Sequence, residues 1–412
     1  MIEHFYAQTH SAQRLRFGPL EPHLDDFAQL LAEQGYSRQA ARQKLRLAAD
    51  LSRWLERKRL PVEVLDEERV GEFFGARWRR RRWHNSDQSS LSLLLRQLRR
   101  ANVIPDNVIP ARQGPLDRVE QDYARFLTQE RGLLATTLDS YLPVARHFLV
   151  SRFGSGKLRL KALRSHDVSE FILRDLAAYS LKRVQLATSA LRSFLGHLYQ
   201  TGQLATNLAA AVPTVAGRHH CGLPRFLEPE QVERLLNHCD RGCPAGQRDY
   251  AVLLLLARLG VRAGEVVQLS LEDINWEAGE LLIRGKSARI DRLPLPSDVG
   301  RALACYLKRG RPQCSSRRVF IRTKAPRQGF SGSAAVDGIV DRALSRARMD
   351  PAQRGAHLLR HSLATRMLRG GASLTQIGQI LRHQLPQTTE IYAKVDLRAL
   401  RNLAQPWPGG AR

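Results

Sequence analysis

Residues 357–395 read HLLRHSLATRMLRGGASLTQIGQILRHQLPQTTEIYAKV. The stretch holds three histidines (His357, His361, His383), an arginine (Arg360) between the first two, and one tyrosine, Tyr392, near its end. His357 and Arg360 stand three apart, so on a helix they share one face. Each residue also has an ordinary reading. A histidine on a helix face is more often structural than catalytic, and a tyrosine in TTEIYAKV can serve core packing. The rest of the chain decides whether the stretch is a reaction centre or an amphipathic region with a polar wet face.

Two upstream segments supply matching chemistry. In ARLGVRAGEVVQLSLEDI, residues 257–274, a buried-helix pattern reaches Gly260 and then a polar turn carrying Arg262. Glu265 follows three residues later, within hydrogen-bonding reach of Arg262. In ELLIRGKSARIDRLPLP, residues 280–296, two short apolar runs flank a polar turn. That pattern predicts a β-hairpin carrying Lys286, the one convincing hairpin in the sequence. The set is two Arg, two His, one Lys and one Tyr, with no acidic cluster to hold a metal.

Such an inventory suits attack on a phosphodiester without a metal. Paired guanidiniums grip the non-bridging oxygens bidentately and favour the more charged transition state. A histidine shuttles protons, and a lysine ammonium can protonate the leaving alkoxide. A tyrosine hydroxyl, with a free pKa of about 10, needs cationic neighbours or a base to act as nucleophile.

Composition points to the substrate class. The chain has 412 residues, 43% hydrophobic and 25% charged, which is ordinary for a globular protein of two to four domains. Its 65 Lys+Arg against 39 Asp+Glu, a net charge of +26, is not ordinary and implies a polyanionic partner, most simply nucleic acid. No apolar run reaches transmembrane length, and MIEHFYAQTHSAQRLRF does not read as a signal peptide. Five scattered cysteines (Cys221, Cys239, Cys243, Cys305, Cys314) make no disulfide framework. HHC at 219–221 with HCDRGC at 238–243 has no standard zinc spacing. The expectation is a cytoplasmic, nucleoid-associated protein with no membrane partner, no metal and no cofactor.

Helical patterns dominate outside the hairpin. NLAAAVPTVAGRHHCGLP, residues 207–224, has small residues and two prolines and reads as a linker. Ahead of it, LLAEQG and FLTQERG, LDEERVGEFF and LRSHDVSEFI, and QLRRANVIPDN and HLYQTGQLATN form three resembling pairs. Their offsets are 97 (132−35), 98 (163−65) and 100 (197−97) residues. Three ordered matches at nearly one offset suggest two copies of one helical module. The first copy carries ARWRRRRWHN at 76–85, where Trp78 and Trp83 flank Arg79, Arg80, Arg81 and Arg82. Arginine interleaved with tryptophan suits contact with a DNA backbone.

GVRAGEVVQLSLEDI, GKSARIDRLPL, HLLRHSLATRML and LRHQLPQTTEIYAKV, in this order and at these distances, resemble the tyrosine recombinase (phage-integrase, Xer-type) family. The resemblance covers about 225–405 and is specific to the LRH(S)xATxxL pattern and the TTxIY tail. It implies a mainly α fold with a small β-hairpin or sheet: a tyrosine-recombinase catalytic domain preceded by helical SAM-like core-binding domains. The expected partition is an N-terminal DNA-binding module at 1–113, a core-binding domain at 114–212, a linker at 213–225 and a catalytic domain with its tail at 226–412.

The resemblance also implies roles. Tyr392 would be the nucleophile, forming a 3′-phosphotyrosyl link and freeing a 5′ hydroxyl. Arg262 and Arg360 would bind the phosphate, with Glu265 in support. His357 would act as acid or base, Lys286 as general acid to the 5′ oxygen, and His383 would hydrogen-bond the scissile phosphate. His361 is expected to be structural. The sequence departs from the family at Arg382, where a glycine is usual, and at Ser287, where a second glycine is common. Arg382 is expected to reach phosphate or alter the helix entry. The tail DLRALRNLA, 396–404, is expected to exchange between protomers of a synaptic tetramer. The duplicated module resembles transposon-borne members, and co-encoded recombinases would be further partners. The expected function is site-specific DNA recombination, integration or transposition. The competing functions are a type IB topoisomerase-like enzyme and a catalytically inactive DNA-binding regulator on the same fold.

Overall fold

The computed structural model describes residues 2–6, 13, 15–78, 85–106, 114–133, 135–154, 156–215, 224–285 and 290–395, the side chains of Trp78, Asn85 and Thr136 excepted. Four helices make the first core: α1 (Glu21–Glu33), α2 (Arg38–Lys58), α3 (Glu67–Trp78) and α4 (Asn85–Arg100). In α2, Ala41, Leu45, Ala48, Ser52 and Leu55 are buried, a helical spacing that faces one stripe inward. Ser37 caps the helix, its Oγ accepting from the Ala40 amide at 3.3 Å. Buried Ser52 satisfies its hydroxyl by donating to the Phe17 carbonyl (2.7 Å) and accepting from the Leu20 amide (3.0 Å), which ties the entry segment to α2.

A second, separate core is built by α5 (Pro115–Arg125), α6 (Ala135–Phe153), α7 (Ser165–Glu170) and α8 (Leu181–Gln200). It is rich in aromatic rings: Tyr123, Phe126, Phe148, Phe171 and Phe194 are all buried in it. Leu208 and Val212 pack into the same core. The sequence between Asn207 and Pro224 reads as a linker throughout, but its first residues are packed structure, held by apolar contacts that composition does not reveal.

The third core begins with α9 (Pro229–Asn237) and α10 (Pro244–Leu259). Ala251 to Ala257 are all buried, so α10 is apolar around its whole circumference and runs through the middle of this core. It ends at Gly260, φ 58°. A Cβ there would lie 2.6 Å from Leu381 Cδ2, so both the left-handed backbone and the close approach require glycine. After α11 (Ala263–Gln268), three antiparallel strands follow in the order β1 (Ile274–Asn275), β2 (Glu280–Arg284), β3 (Ile290–Pro294). The register pairs Leu281 with Leu293 and Arg284 with Ile290. Leu281, Ile283 and Leu293 face the core, the period of two that the hairpin reading requires. The fold class is as the sequence implies: mostly helical with one small sheet. The two-residue strand β1 is an addition to the expected hairpin.

Helices α12 (Ser297–Cys305), α13 (Ser333–Arg346) and α14 (Ala356–Arg369) close this core. α15 (Leu374–Leu381) starts with a reciprocal cap. Ser373 Oγ accepts from the Gln376 amide (3.2 Å) and Gln376 Oε1 accepts from the Ser373 amide (2.8 Å). It ends on Arg382 in the left-handed region, φ 56°. The one-turn helix α16 (Gln387–Glu390) delivers Tyr392.

By compactness, residues 1–105 and 222–412 group as one unit and 106–221 as another. Within the first unit, the Gln34 carbonyl accepts from the Arg327 amide at 2.9 Å. Among the described residues no helix is long and apolar enough to cross a membrane.

Candidate active site

Two left-handed turns create the site. Past Gly260 the chain reverses and sets Arg262 at the N-cap of α11. Glu265, three residues on, receives the Arg262 amide on Oε2 and its Nη1 on Oε1, both at 2.8 Å. At the end of α15 the left-handed Arg382 turns the chain, and the carbonyls of Leu381 and Arg382 both become acceptors. The Arg382 carbonyl takes Arg262 Nη2 at 3.2 Å. The Leu381 carbonyl takes Arg360 Nη2, and the Gly260 carbonyl takes Arg360 Nη1. The two turns therefore clamp both guanidiniums with main-chain oxygens, which are more rigid than side chains.

Arg382 closes the network. Its side chain is 4% exposed, and Nη2 donates to Glu265 Oε2 at 2.8 Å. Its Nε lies 3.9 Å from Asp291 Oδ2 and has no hydrogen-bond partner among the described residues. The arginine expected to contact DNA is thus engaged by Glu265 within the protein. Two guanidiniums (Arg262 and Arg382) pair with one buried carboxylate, and a third, Arg360, lies near it on main-chain carbonyls. Burial disfavours the charge of Glu265, but Arg382 and Arg262 outweigh it and hold its pKa below the ordinary carboxylate value. Burial, and then the charges of Arg262 and Arg382, push the Arg360 guanidinium down to about 10, still protonated at neutral pH. The site carries excess positive charge with little water to screen it, as a phosphate-binding site requires.

The histidines and the tyrosine lie against this cluster. His357 is exposed on the first turn of α14. His361, one turn along, has its ring 6.2 Å from that of His357. His361 Nδ1 is 2.9 Å from the Tyr392 hydroxyl. The Tyr392 ring also lies 6.5 Å from that of His383, nearly parallel at 7°. His383 Nδ1 is fixed by Thr389 Oγ1 at 2.7 Å. Tyr392 is 1% exposed, and burial pushes its hydroxyl up to about 12 despite the nearby Arg360. Burial, with His357 and Arg360 adding to it, pushes His361 down to about 4. Burial, then Arg360 and Arg262, does the same to His383, also to about 4. At neutral pH both imidazoles are uncharged and the phenol keeps its proton.

The structure brings together Arg262, Glu265, Arg360, Arg382, His383 and Tyr392, with His357 on the adjoining helix face. A cleft beside them is lined by Arg262, Gly285, Asp291, Arg382 and His383. Gly285, the described residue that follows β2, lines this cleft. Lys286 itself lies outside the described residues, as do Arg79 to Arg82, Trp83, the side chain of Trp78, and the tail from 396. Sequence reasoning took His361 as structural, and the structure puts it on the tyrosine hydroxyl. Its spacing of four from His357 placed it near that helix face, but only the tertiary path of 382–392 brings the tyrosine to it.

Residues 225–398 match the model of the phage integrase family. A protein named as an integrase/recombinase, y4rA of Sinorhizobium fredii, is 42% identical over 412 residues, all of this chain and all of its own length. The tyrosine recombinase XerD of Mycobacterium tuberculosis is 32% identical over 312 residues, 70% of this chain and 96% of that protein. Among solved structures, the XerH site-specific recombinase bound to palindromic difH substrate in a post-cleavage complex is similar in fold. Its TM-score is 0.56 at 21% identity, over 70% of this chain and 84% of that one. The chain belongs to the phage integrase family, and it is a site-specific recombinase of the tyrosine type.

Proposed function

We propose that Tyr392 Oη attacks the scissile phosphorus of a DNA duplex while Arg262 and Arg360 hold the non-bridging oxygens. The Oη–P bond forms and the bond from P to the 5′ oxygen breaks. The 5′ oxygen takes a proton, which we assign to Lys286, and the phenol proton leaves by way of an imidazole, with His357 as the acid–base group. His383 donates to the phosphate. The product is a 3′-phosphotyrosyl link that keeps the bond energy for religation to another strand, with neither metal nor nucleotide cofactor in the scheme. Glu265 and the Arg382 carbonyl hold Arg262 in place, and the Gly260 and Leu381 carbonyls hold Arg360. The observation that carries this reading is the meeting of a buried tyrosine hydroxyl with clamped guanidiniums beside one cleft. Family membership supplies the register of the roles.

The +26 charge and the XerH–difH complex support double-stranded DNA as the partner. The N-terminal module at 1–113, with Arg79 to Arg82, Trp78 and Trp83, would bind DNA backbone, and 114–212 would be the core-binding domain. The first two cores, each of four described helices, support two comparable modules. A synaptic tetramer that exchanges the tail from 396, co-encoded recombinases as partners, a home on a mobile element and a nucleoid-associated cytoplasmic location complete the proposal. Recombination between two copies of the DNA flanking the gene tests it. Strand-exchanged product is expected. Relaxation of any supercoiled plasmid without a site would favour the topoisomerase-like reading, and binding without strand transfer would favour the regulator.

A further inference from the structure

We infer that His361 positions the nucleophile, its Nδ1 accepting the hydrogen bond of the Tyr392 hydroxyl. This rests on the assignment of Tyr392 as nucleophile and gives a task to a residue that the scheme above leaves unused. The distance is 2.9 Å, and among the described residues it is the hydroxyl's only hydrogen bond. A buried hydroxyl is almost always satisfied, and the His361 tautomer with its proton on Nε2 lets Nδ1 satisfy the Tyr392 O–H as acceptor. The direction agrees with the chemistry of both groups: burial keeps the phenol protonated and the imidazole uncharged.

The geometry fixes more than one degree of freedom. His361 meets the tyrosine ring edge-on, at 61° and 5.6 Å between centroids. The His383 ring lies nearly parallel to it, 6.5 Å away between centroids. Tilting the ring would loosen these contacts, and the hydroxyl proton turns about only the C–O bond, where Nδ1 selects its direction. His361 follows Arg360 directly on α14, so one rigid helix sets both the tyrosine hydroxyl and a phosphate-binding guanidinium. His357, the assigned acid–base group, sits on the same helix but makes no hydrogen bond to that hydroxyl. The attacking atom is thus aligned by a different imidazole from the one expected to move protons. Holding a reacting group within a fraction of an ångström is the kind of positioning that changes turnover and leaves binding alone.

The test compares wild type, His361→Phe, His361→Asn and Tyr392→Phe. Nicked suicide duplexes tiled across the gene's flanking DNA report the rate of covalent adduct and, separately, binding. His361→Phe removes the acceptor; it should slow adduct formation at least about tenfold, the worth of one hydrogen bond to a reacting group, with binding unchanged. His361→Asn places an oxygen near the Nδ1 position and should recover most of the rate. A purely structural role would lose folding or binding and would not be rescued in rate alone. Wild-type or faster cleavage by His361→Phe overturns the inference while leaving the nucleophile assignment intact. An adduct formed by Tyr392→Phe overturns both. Independently of any DNA site, thermal melts of His361→Phe, Tyr392→Phe and the double variant should be non-additive, because the two single changes delete one shared bond. Strictly additive Tm shifts would also overturn it.

Discussion

His361 and His383 are the residues at which this site can be titrated. Each has a pKa of about 4 in the folded chain against an ordinary 6.5. Between those values the unfolded chain binds more protons than the folded one, so stability rises with pH across that window and levels off above it. Thermal melts from pH 4 to 8 should show the rise, and His361→Phe should flatten it. A slope of the opposite sign would mean that these imidazoles are charged in the fold. Glu265 is the second test at this scale. Replacing it with Ala leaves buried Arg382 without its carboxylate and frees Arg262, which should cost about 3 kcal/mol in denaturant melts and abolish cleavage. At Arg382 two effects oppose. Arg382→Gly relieves a left-handed backbone worth about 1 kcal/mol but strips Glu265 of one of two partners, and the loss should win, giving a lower Tm. Much of this was legible in the sequence. The spacing of Arg262 to Glu265 and of His357 to Arg360 follows from helix geometry. The contact of His361 with Tyr392 and the pairing of Arg382 with Glu265 join segments 31 (392−361) and 117 (382−265) residues apart, and no local pattern encodes them.

Two left-handed turns, at Gly260 and at Arg382, do at the level of elements what the guanidiniums do at the level of atoms. They end α10 and α15 and turn three carbonyls onto Arg262 and Arg360. Gly260→Ala should therefore harm both folding and chemistry. A left-handed alanine costs about 1 kcal/mol, and its Cβ would overlap Leu381, whose carbonyl holds Arg360. We expect a Tm several degrees lower and cleavage impaired beyond what the loss of fold explains, measured at a temperature where the variant is still folded. The hairpin and the end of α10 at Gly260 were readable because two short apolar runs about a polar turn and a Gly stop are local signals. β1 was not, since two residues carry no period and their pairing with β2 is set by the chain reversal at Gly279.

At the scale of the whole molecule, the described residues form three large apolar cores and a smaller one of Leu363, Ala364, Ile377, Leu381 and Tyr392, in a chain with a surplus of positive charge. Neutralising phosphates releases counterions, so affinity for duplex should fall steeply between about 50 and 200 mM salt. A flat response would count against the charge as a DNA clamp. Changing Arg79 to Arg82 to Ala should weaken binding more than it slows cleavage of DNA already bound. The most direct measurement of the central claim is covalent trapping on nicked duplexes from the gene's own flanks, followed by peptide mapping of the adduct. The account predicts a 3′-linked adduct on Tyr392 in the wild type and none in Tyr392→Phe. An adduct on any other residue, or one that survives the substitution, would contradict it.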